Sequence, residues 1–343
     1  MNLLTAAAAP VSAQEAAALA SERFGMSGEV RALTSERDQN FRLTASDGRR
    51  YTLKISHPAE DPAVCDFQTA ALRHIAARDP ALPVPRPVPA LDGQWRVLLE
   101  RPGCEPRIVR LLSYLEGEML HQALPTAALR RSLGAAHARL GRALEGFSHP
   151  AEVHDLLWDI KQAGKLTELI VHLAPERRAL PERALDIFLR HVEPALPSLR
   201  AQVIHNDLNA HNVVVEAANP EVVSGILDFG DMVRSPLVCD VAVAGSYLVR
   251  QGEGPLGGVQ DYLAAYHAVS PLAEGELDVL FDMILTRLGM TALITNWRAK
   301  LFPENAPYIL RNAPAAWAAL ERLAGISRGQ GRDLIHAACN PRA

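Results

Sequence analysis

The sequence lacks an excess of one charge and lacks any long apolar run. Lysine and arginine total 35 and aspartate and glutamate total 39, so the formal net charge is −4 over 343 residues. Without a polybasic tract, we expect no nucleic-acid partner and no attachment to a membrane surface. No apolar stretch approaches the roughly 18 to 20 residues that a membrane-spanning helix needs.

Cysteine is also scarce. The four cysteines lie far apart and form no CxxC pair: Cys65, Cys104, Cys239 and Cys339. Reduced, mostly buried thiols are therefore expected, as is usual in the cytosol. The alanine-rich amino terminus has no lysine or arginine before Arg23, and Pro10 and Glu15 interrupt its apolar residues, so it lacks the layout of a signal peptide. Together these features predict a cytoplasmic protein.

The periodic segments predict two lobes. A chain of 343 residues is long enough for about two domains. Residues 30–56, 94–100 and 107–115 have the composition of strands, whereas apolar residues after Glu116 recur at helical steps. We predict an α+β protein with a β-rich N-terminal lobe at residues 1–115 and a mainly helical C-terminal lobe at residues 116–343.

Local signals set the element boundaries. In the first lobe, Ser12 and Glu15 form a capping box, Asp47-Gly48 predicts a hairpin, and Asp61-Pro62 begins a helix that ends at Arg78. In the second lobe, residues 203–229 predict two strands joined by a turn. Helices are expected there at about 129–147, 155–170, 181–195, 236–250, 258–269, 275–299 and 312–325.

One stretch carries most of the chemical information. His205-Asn206-Asp207-Leu208-Asn209-Ala210-His211-Asn212 is followed 16 positions later by Asp228-Phe229-Gly230. Phosphoryl transfer needs a carboxylate that orients the attacking hydroxyl, and an amide and a second carboxylate that hold Mg²⁺. The hairpin between these segments would return the chain so that Asp228 lies beside Asn212.

This pattern, H-x-D-x-x-x-x-N followed by D-F-G, resembles the catalytic and metal loops of the aminoglycoside phosphotransferase and choline kinase superfamily, which has a protein-kinase-like fold. The resemblance covers about residues 20 to 325 and is nearest to hydroxylysine kinases and type II homoserine kinases. Four segments carry that nearer resemblance: ERDQNFRL (36–43), LLWDIKQA (156–163), HNDLNAHNVVV (205–215) and LDFGDMVRSPLVCDVAVA (227–244).

The resemblance implies a two-lobed small-molecule kinase. It would use Mg²⁺ to transfer the γ-phosphate of ATP or GTP to the hydroxyl of a small hydroxylated amino acid or amine. Hydroxylysine is the first acceptor expected and homoserine the second, and choline-like alcohols and aminoglycosides follow. Asp207 would be the catalytic residue, and Asn212 and Asp228 would bind the metal. The oligomeric state is left open.

The first lobe would hold the nucleotide. Lys54, in a strand whose opposite face carries Tyr51, Leu53 and Ile55, would meet the α- and β-phosphates. Backbone groups near Ser113 and Leu115, in the segment that resembles a kinase hinge, would meet the purine edge. Because backbone makes this contact, the sequence does not separate ATP from GTP.

The loop before the second strand departs from the protein-kinase pattern. It contains no glycine between residues 34 and 47, so the glycine-rich cover over the phosphates is absent. Phosphate contacts there would come from the backbone or from polar side chains: Arg37, Gln39 and Asn40.

The partner of Lys54 also departs from the pattern. Gln68 stands where the glutamate that pairs with this lysine would align, and Asp66 lies on a different side of the predicted helix. We therefore expect Lys54 to be held by a hydrogen bond instead of an ion pair, and the sequence leaves open whether Gln68 or Asp66 supports it.

The residues that bind the acceptor are predicted from its chemistry. A hydroxy amino acid needs a cation for its carboxylate and an acid or aromatic face for its ammonium group. The C-terminal lobe offers Asp231, Arg234, Arg298, Asp159, Trp158 and Trp297. Core packing is the expected role of the two tryptophans.

Two other classes of protein are compatible with parts of this pattern. His205, Asp207 and His211 could be transition-metal ligands in a hydrolase, although Asn212 and Asp228-Phe229-Gly230 would then be coincidental. A catalytically silent kinase fold that acts as a binding module is the third alternative. The presence of Lys54, Asp207, Asn212 and Asp228 argues against such a silent fold.

Overall fold

The computed structural model describes residues 9–35 and 38–340, which form two units. The first unit contains the described residues up to Glu116, together with His149–Ala151. The second contains Gly117–Ser148 and the described residues from Glu152 onward. Across these described ranges, every helix is too short or too polar to cross a membrane.

The first unit consists of a six-stranded antiparallel sheet and two helices. Its elements are α1 (Ala13–Phe24), β1 (Gly28–Leu33), β2 (Gln39–Ala45), β3 (Arg50–Ile55), α2 (Pro62–Arg78), β4 (Pro87–Val88), β5 (Val97–Leu99) and β6 (Arg107–Ser113). The strand order is β1-β2-β3-β6-β4, and β5 also pairs with β6. The predicted capping box at Ser12 and the predicted start of α2 at Asp61 are both present.

The β2–β3 hairpin fixes which side chains share a face. Ala45 N donates to Arg49 O (2.9 Å), so three residues, 46–48, form the loop. Gly48 has a φ of +84°, which glycine adopts without strain. Lys54 lies directly opposite Asn40, while Tyr51, Leu53 and Ile55 point into the core that α1 covers, as predicted.

The second unit is mainly helical and contains two small sheets. Its elements are β7 (Glu118–Met119), α3 (Ala127–Ala143), α4 (Ala179–Ile187), β8 (Ala201–Ile204), β9 (Val213–Glu216), β10 (Asn219–Ile226), β11 (Val233–Pro236), α5 (Leu237–Leu248), α6 (Val259–Val269), α7 (Glu274–Leu301), α8 (Ala306–Ile309), α9 (Ala313–Leu323) and α10 (Arg328–Cys339). Strands β7, β9 and β10 form one sheet, in the order β10-β9-β7, and β8 pairs with β11.

Two predicted helices of this unit differ from the structure. The segment predicted at 155–170 forms 3₁₀ turns at Ile160–His172. The helix predicted at 181–195 ends as an α-helix at Ile187 and continues as a π turn and 3₁₀ turns to Ser198. Pro194 and Pro197 lack the N–H groups that an α-helix would use there. Apolar spacing alone does not separate these helix types over so few residues.

Helix α7 forms the centre of the second unit. It has 28 residues and is buried on most of its surface, where it packs against α4, α5, α9 and α10. A helix surrounded by other helices is expected to be apolar on all sides. Arg287, with 2% exposure, is therefore an exception in the middle of this helix.

The contact between α3 and α6 depends on Gly134. A Cβ atom at this position would lie 2.2 Å from the carbonyl oxygen of Tyr262, which is backbone and does not give way. We expect Gly134→Ala to lower the free energy of unfolding by about 1–3 kcal/mol, although alanine is the better helix former. Chemical denaturation followed by circular dichroism measures this change.

Gly275→Ala is the matched control, because Gly275 also lies in a helix and a Cβ there would meet nothing within 4 Å. This variant should be as stable as the unmodified protein or more stable. Equal stability of Gly134→Ala and the unmodified protein would contradict the packing argument.

Candidate active site

The loop between β8 and β9 is held by a buried carboxylate. Asp240, in the first turn of α5, accepts the backbone N–H groups of His205 (3.1 Å) and Asn206 (2.7 Å). Asn206 has a φ of +65°, a left-handed conformation that a non-glycine residue seldom adopts. Asp240 therefore supports a backbone turn that the loop would not favour by itself.

Neighbouring groups keep Asp240 in its charged form. His137 Nε2 lies 3.0 Å from Asp240 Oδ2, and both side chains are almost completely buried. Burial alone raises the pKa of a carboxyl group, but His137 and the Asn206 N–H hold the pKa of Asp240 below its ordinary value. The anchor of the loop is thus an ionised carboxylate.

His205 acts as a structural part of the loop. Its Nδ1 accepts the Asp207 N–H (3.2 Å), so its Nε2 carries the proton and donates to Leu227 O (2.9 Å). Burial lowers the pKa of this imidazole, which keeps it neutral. Because protein groups occupy both ring nitrogens, His205 is not placed to bind a transition metal, which removes the main support for the hydrolase alternative.

Asp207 is positioned by two amides of its own loop. Asn212 Nδ2 donates to Asp207 Oδ2 (2.7 Å), and Asn209 Nδ2 donates to Asp207 Oδ1 (2.9 Å). The carboxylate can therefore rotate little. Asn209 lies within the sequence motif, but the residue pattern alone did not assign it a role.

The charges around Asp207 oppose one another. Burial is the largest effect and raises the pKa of Asp207, and the neighbouring carboxylates of Asp231 and Asp228 raise it further. Arg287 and the Asn209 amide lower it. The result is a pKa of about 7. A carboxyl group with such a pKa exchanges a proton near neutral pH. Asp231, predicted from the sequence as an acceptor-binding residue, is thus close enough to influence the pKa of Asp207.

Arg287 was missed in the sequence because it lies 80 residues beyond Asp207. Its NH2 atom is 3.9 Å from Asp207 Oδ1, its guanidinium group lies 4.9 Å from the centre of the Trp158 ring, and its NH1 donates to Trp158 O. The side chain of Tyr247 also lies close to this guanidinium group. These contacts fix a buried cation beside the carboxylate of Asp207.

The segments that carry Asn212 and Asp228 lie side by side, as the sequence predicts. Leu227 N donates to Asn212 O (2.7 Å), which brings the residue before Asp228 against the loop. Because Asn212 Nδ2 donates both of its hydrogen bonds to Asp207, its carbonyl oxygen Oδ1 is available as a ligand. An amide oxygen and a carboxylate are the donors that a hard cation such as Mg²⁺ prefers.

The other predicted acceptor residues have structural contacts. Arg234 lies 3.4 Å from Glu152 Oε1. Asp159 is fully buried and accepts from Ser235 Oγ (2.8 Å) and from Lys161 N (3.1 Å). Arg298 is buried on α7, and Trp297 is half-buried beside it. Trp158 contributes its carbonyl oxygen and its ring to the support of Arg287.

In the first unit, Lys54 forms an ion pair with Asp38, so the expected absence of an ion pair is wrong. Lys54 Nζ lies 3.1 Å from Asp38 Oδ2, and Asp38 Oδ1 accepts the N–H of His57 (3.0 Å). Burial opposes the charge of Asp38, but Lys54 and the His57 N–H hold its pKa below the ordinary value. The three-residue loop explains the pairing, because a two-residue turn would shift the register by one and move Asp38 to the other face.

Gln68 and Asp66 both contact arginines. Gln68 Oε1 accepts from Arg110 (2.9 Å), which lies opposite Lys54 on β6. Asp66 Oδ1 lies 2.6 Å from Arg96 Nε. A buried arginine therefore contacts the side chain that stands where the glutamate would align, and the acid that pairs with Lys54 is Asp38, just before β2.

The remaining nucleotide candidates have different surroundings. Ser113 N donates to Arg86 O and Ser113 Oγ accepts from Arg86 N, both at 2.8 Å, whereas Leu115 lies in the irregular segment that follows β6. Gln39 accepts from Val11 N (3.1 Å) and Arg107 NH1 (2.6 Å), so its amide is engaged. The remaining two are Asn40, whose Oδ1 is buried without a hydrogen bond from the described residues, and Arg37, which lies outside those residues.

Known proteins share this fold and sequence pattern. Residues 29–280 match the model of the phosphotransferase enzyme family. The chain is 29% identical to a hydroxylysine kinase of Mus musculus, with 93% of this chain and 91% of the mouse protein covered. It is 30% identical to a homoserine kinase of Methylobacillus glycogenes, with 85% and 86% covered.

Solved structures show the same fold at lower identity. A microcompartment-associated aminopropanol kinase superposes with a TM-score of 0.69 at 20% identity, over 92% of this chain and 98% of that protein. The amicoumacin kinase hAmiN superposes with a TM-score of 0.67 at 15% identity, over 90% of this chain and 94% of that protein. The predicted α+β, protein-kinase-like fold is confirmed.

The role of Asp240 leads to a prediction about stability. Asp240→Asn keeps one acceptor oxygen but loses the charge that His137 faces and one backbone acceptor, so we expect a loss of about 2–4 kcal/mol in the free energy of unfolding. Asp278→Asn, which removes an exposed pair with His336, should change it by less than about 1 kcal/mol. Chemical denaturation compares the two variants, and similar losses would refute the anchoring role.

Proposed function

Because the chain belongs to the phosphotransferase enzyme family, we propose that it transfers the γ-phosphate of ATP or GTP to the hydroxyl of a small hydroxylated amino acid or amine. Hydroxylysine is the first acceptor that we propose. The family and the hydroxylysine kinase relatives support phosphoryl transfer to an alcohol. The homoserine kinase relative makes homoserine the second candidate.

The observation that carries this proposal is the position of Asp207. Two side-chain amides hold its carboxylate, and its pKa of about 7 suits a group that accepts a proton near neutral pH. In this role Asp207 orients the acceptor hydroxyl and takes its proton while the oxygen bonds to the γ-phosphorus. The bond from that phosphorus to the leaving diphosphate breaks in the same transfer.

Asn212 and Asp228 are the proposed metal ligands. When bound there, Mg²⁺ would neutralise charge on the transferring phosphates. The Asn212 carbonyl oxygen and the Asp228 carboxylate supply ligands of the right chemical type. Holding Asn212 against Asp207 also couples the position of the ligand to that of the proton acceptor.

The first unit is proposed to bind the nucleotide. Lys54, held by Asp38, would contact the α- and β-phosphates, and the backbone at Leu115 would contact the purine. Backbone recognition of the purine is compatible with both ATP and GTP. Gln68 contributes indirectly, because it binds Arg110 beneath the same face of the sheet.

A panel of acceptors tests this function. Hydroxylysine, homoserine, choline and an aminoglycoside are each assayed with ATP and with GTP, and release of the nucleoside diphosphate is measured. We expect hydroxylysine to have the highest kcat/KM and Asp207→Asn to lower kcat by about 10²–10⁴-fold with unchanged nucleotide binding. Asp333→Asn, on the surface, is the control. Near-normal turnover by Asp207→Asn would refute the role of this carboxylate.

The ion pair of Lys54 gives a second test of the proposed nucleotide site. Asp38→Asn removes the charge that orients Lys54, so we expect KM for the nucleotide to rise by at least about tenfold, as for the loss of a charged hydrogen bond. Asp66→Asn removes only the more exposed pair with Arg96 and should leave this KM within about twofold. Steady-state kinetics with varied nucleotide separates the two variants. Equal effects would exclude a specific role for Asp38.

A further inference from the structure

A cavity of about 310 Å³ lies in the second unit between the end of α5, the middle of α7 and the start of α9. Its volume is near the lower end of the range for small-molecule sites, about 300–1,000 Å³. A single amino acid fits such a volume better than a multi-ring antibiotic does. The residues that line it include Ser246, Tyr247, Arg250, Thr291 and Asn312.

Tyr247 connects this cavity to the catalytic carboxylate. The Tyr247 side chain lies close to the guanidinium group of Arg287, whose NH2 atom is 3.9 Å from Asp207 Oδ1. A tyrosine hydroxyl can accept from a guanidinium group and still donate its own proton. Tyr247 thus gives the cavity wall a polar group next to the cation that lies beside Asp207.

The charge on the cavity wall is positive. Arg250 is the single charged residue among those that line the cavity, and no acidic residue lines it. Arg250 forms no ion pair or hydrogen bond with another residue in the described parts of the chain. A cation without a protein counterion favours an anionic group of a ligand, and a carboxylate matches a guanidinium in two parallel hydrogen bonds.

Other polar groups of the cavity wall offer oxygen atoms. Ser246 Oγ donates its proton to Val243 O (2.7 Å) and Thr291 Oγ1 donates to Arg287 O (2.9 Å), so both hydroxyl oxygens present lone pairs to a further donor. Asn312 stands at the N-cap of α9 but makes no capping hydrogen bond with its side chain. An ammonium group is the donor that such acceptors suit.

We infer that this cavity binds the zwitterionic amino-acid end of the acceptor, with Arg250 holding its carboxylate and the oxygens of Ser246 and Thr291 holding its ammonium group. This inference rests on the proposed function, in which the acceptor hydroxyl reaches Asp207. Arg250, and neither Arg234 nor Arg298, is then the carboxylate-binding residue. Because an amino alcohol has no carboxylate to bind Arg250, the cavity selects amino acids over amino alcohols.

Kinetics with paired acceptors tests the inference. Arg250→Met should raise KM for hydroxylysine by at least about tenfold, the loss of one charged hydrogen bond, and should change KM for its decarboxylated amino alcohol by less than about twofold. Arg250→Lys should recover part of the affinity. Arg190→Met, which removes an exposed arginine paired with Asp186, is the matched control. Equal losses for both acceptors would overturn the inference.

Direct binding separates this inference from the proposed function. Calorimetry measures hydroxylysine binding to nucleotide-free protein carrying Asp207→Asn, with and without Arg250→Met. Binding that Arg250→Met weakens supports the cavity even if no acceptor is phosphorylated, and in that case the proposed function fails alone. Turnover of hydroxylysine together with unchanged binding by the Arg250→Met variant overturns the cavity and leaves the function standing.

Discussion

The buried carboxylate of Asp240 is the constraint on which the site depends. It accepts two consecutive backbone N–H groups, at His205 and Asn206, and so stabilises a left-handed residue that costs about 1–3 kcal/mol by itself. The next residue is Asp207, whose direction follows from that turn. Through His205 Nε2 the same loop holds Leu227 and therefore the start of the Asp228 segment. One ionised group at the beginning of α5 thus sets the direction of Asp207 and the position of the segment that carries Asp228.

A second constraint is electrostatic. Burial, and after it the neighbouring Asp231, disfavours the charge of Asp207. Arg287 favours that charge, and because Arg287 is almost completely buried, its own charge is poorly screened by water. The cation also depends on the acid, since the carbonyl and ring of Trp158 and the phenol of Tyr247, which lie near it as well, are uncharged. This balance leaves the pKa of Asp207 near neutrality.

The parts of the site that the sequence predicted are those that lie close together in the chain. Asp207 and Asn212 are five residues apart in one loop, and a single hairpin returns the chain to Asp228. Spacing alone was therefore sufficient to predict that these residues lie close together. Asp38 was missed because its pairing with Lys54 depends on whether the hairpin loop has two or three residues, and Asp47-Gly48 suggests two. Arg287 and Arg250 were missed because helix packing, which spacing does not encode, brings them to the site. In the fold, the π and 3₁₀ turns after Ile187 were missed for a related reason, since their apolar spacing resembles that of an α-helix.

Helix α5 contributes to both the loop that carries Asp207 and the cavity. Asp240 lies in its first turn and holds that loop, while Tyr247 lies in its last turn and Arg250 follows it at the wall of the cavity. Ten residues separate Asp240 from the proposed carboxylate-binding arginine, and Arg250 is exposed. A substitution of Arg250 therefore changes the charge of the cavity wall without removing the hydrogen bonds of Asp240. In the proposed arrangement, the charge of the acceptor can then be selected at Arg250 while the loop that carries Asp207 stays the same.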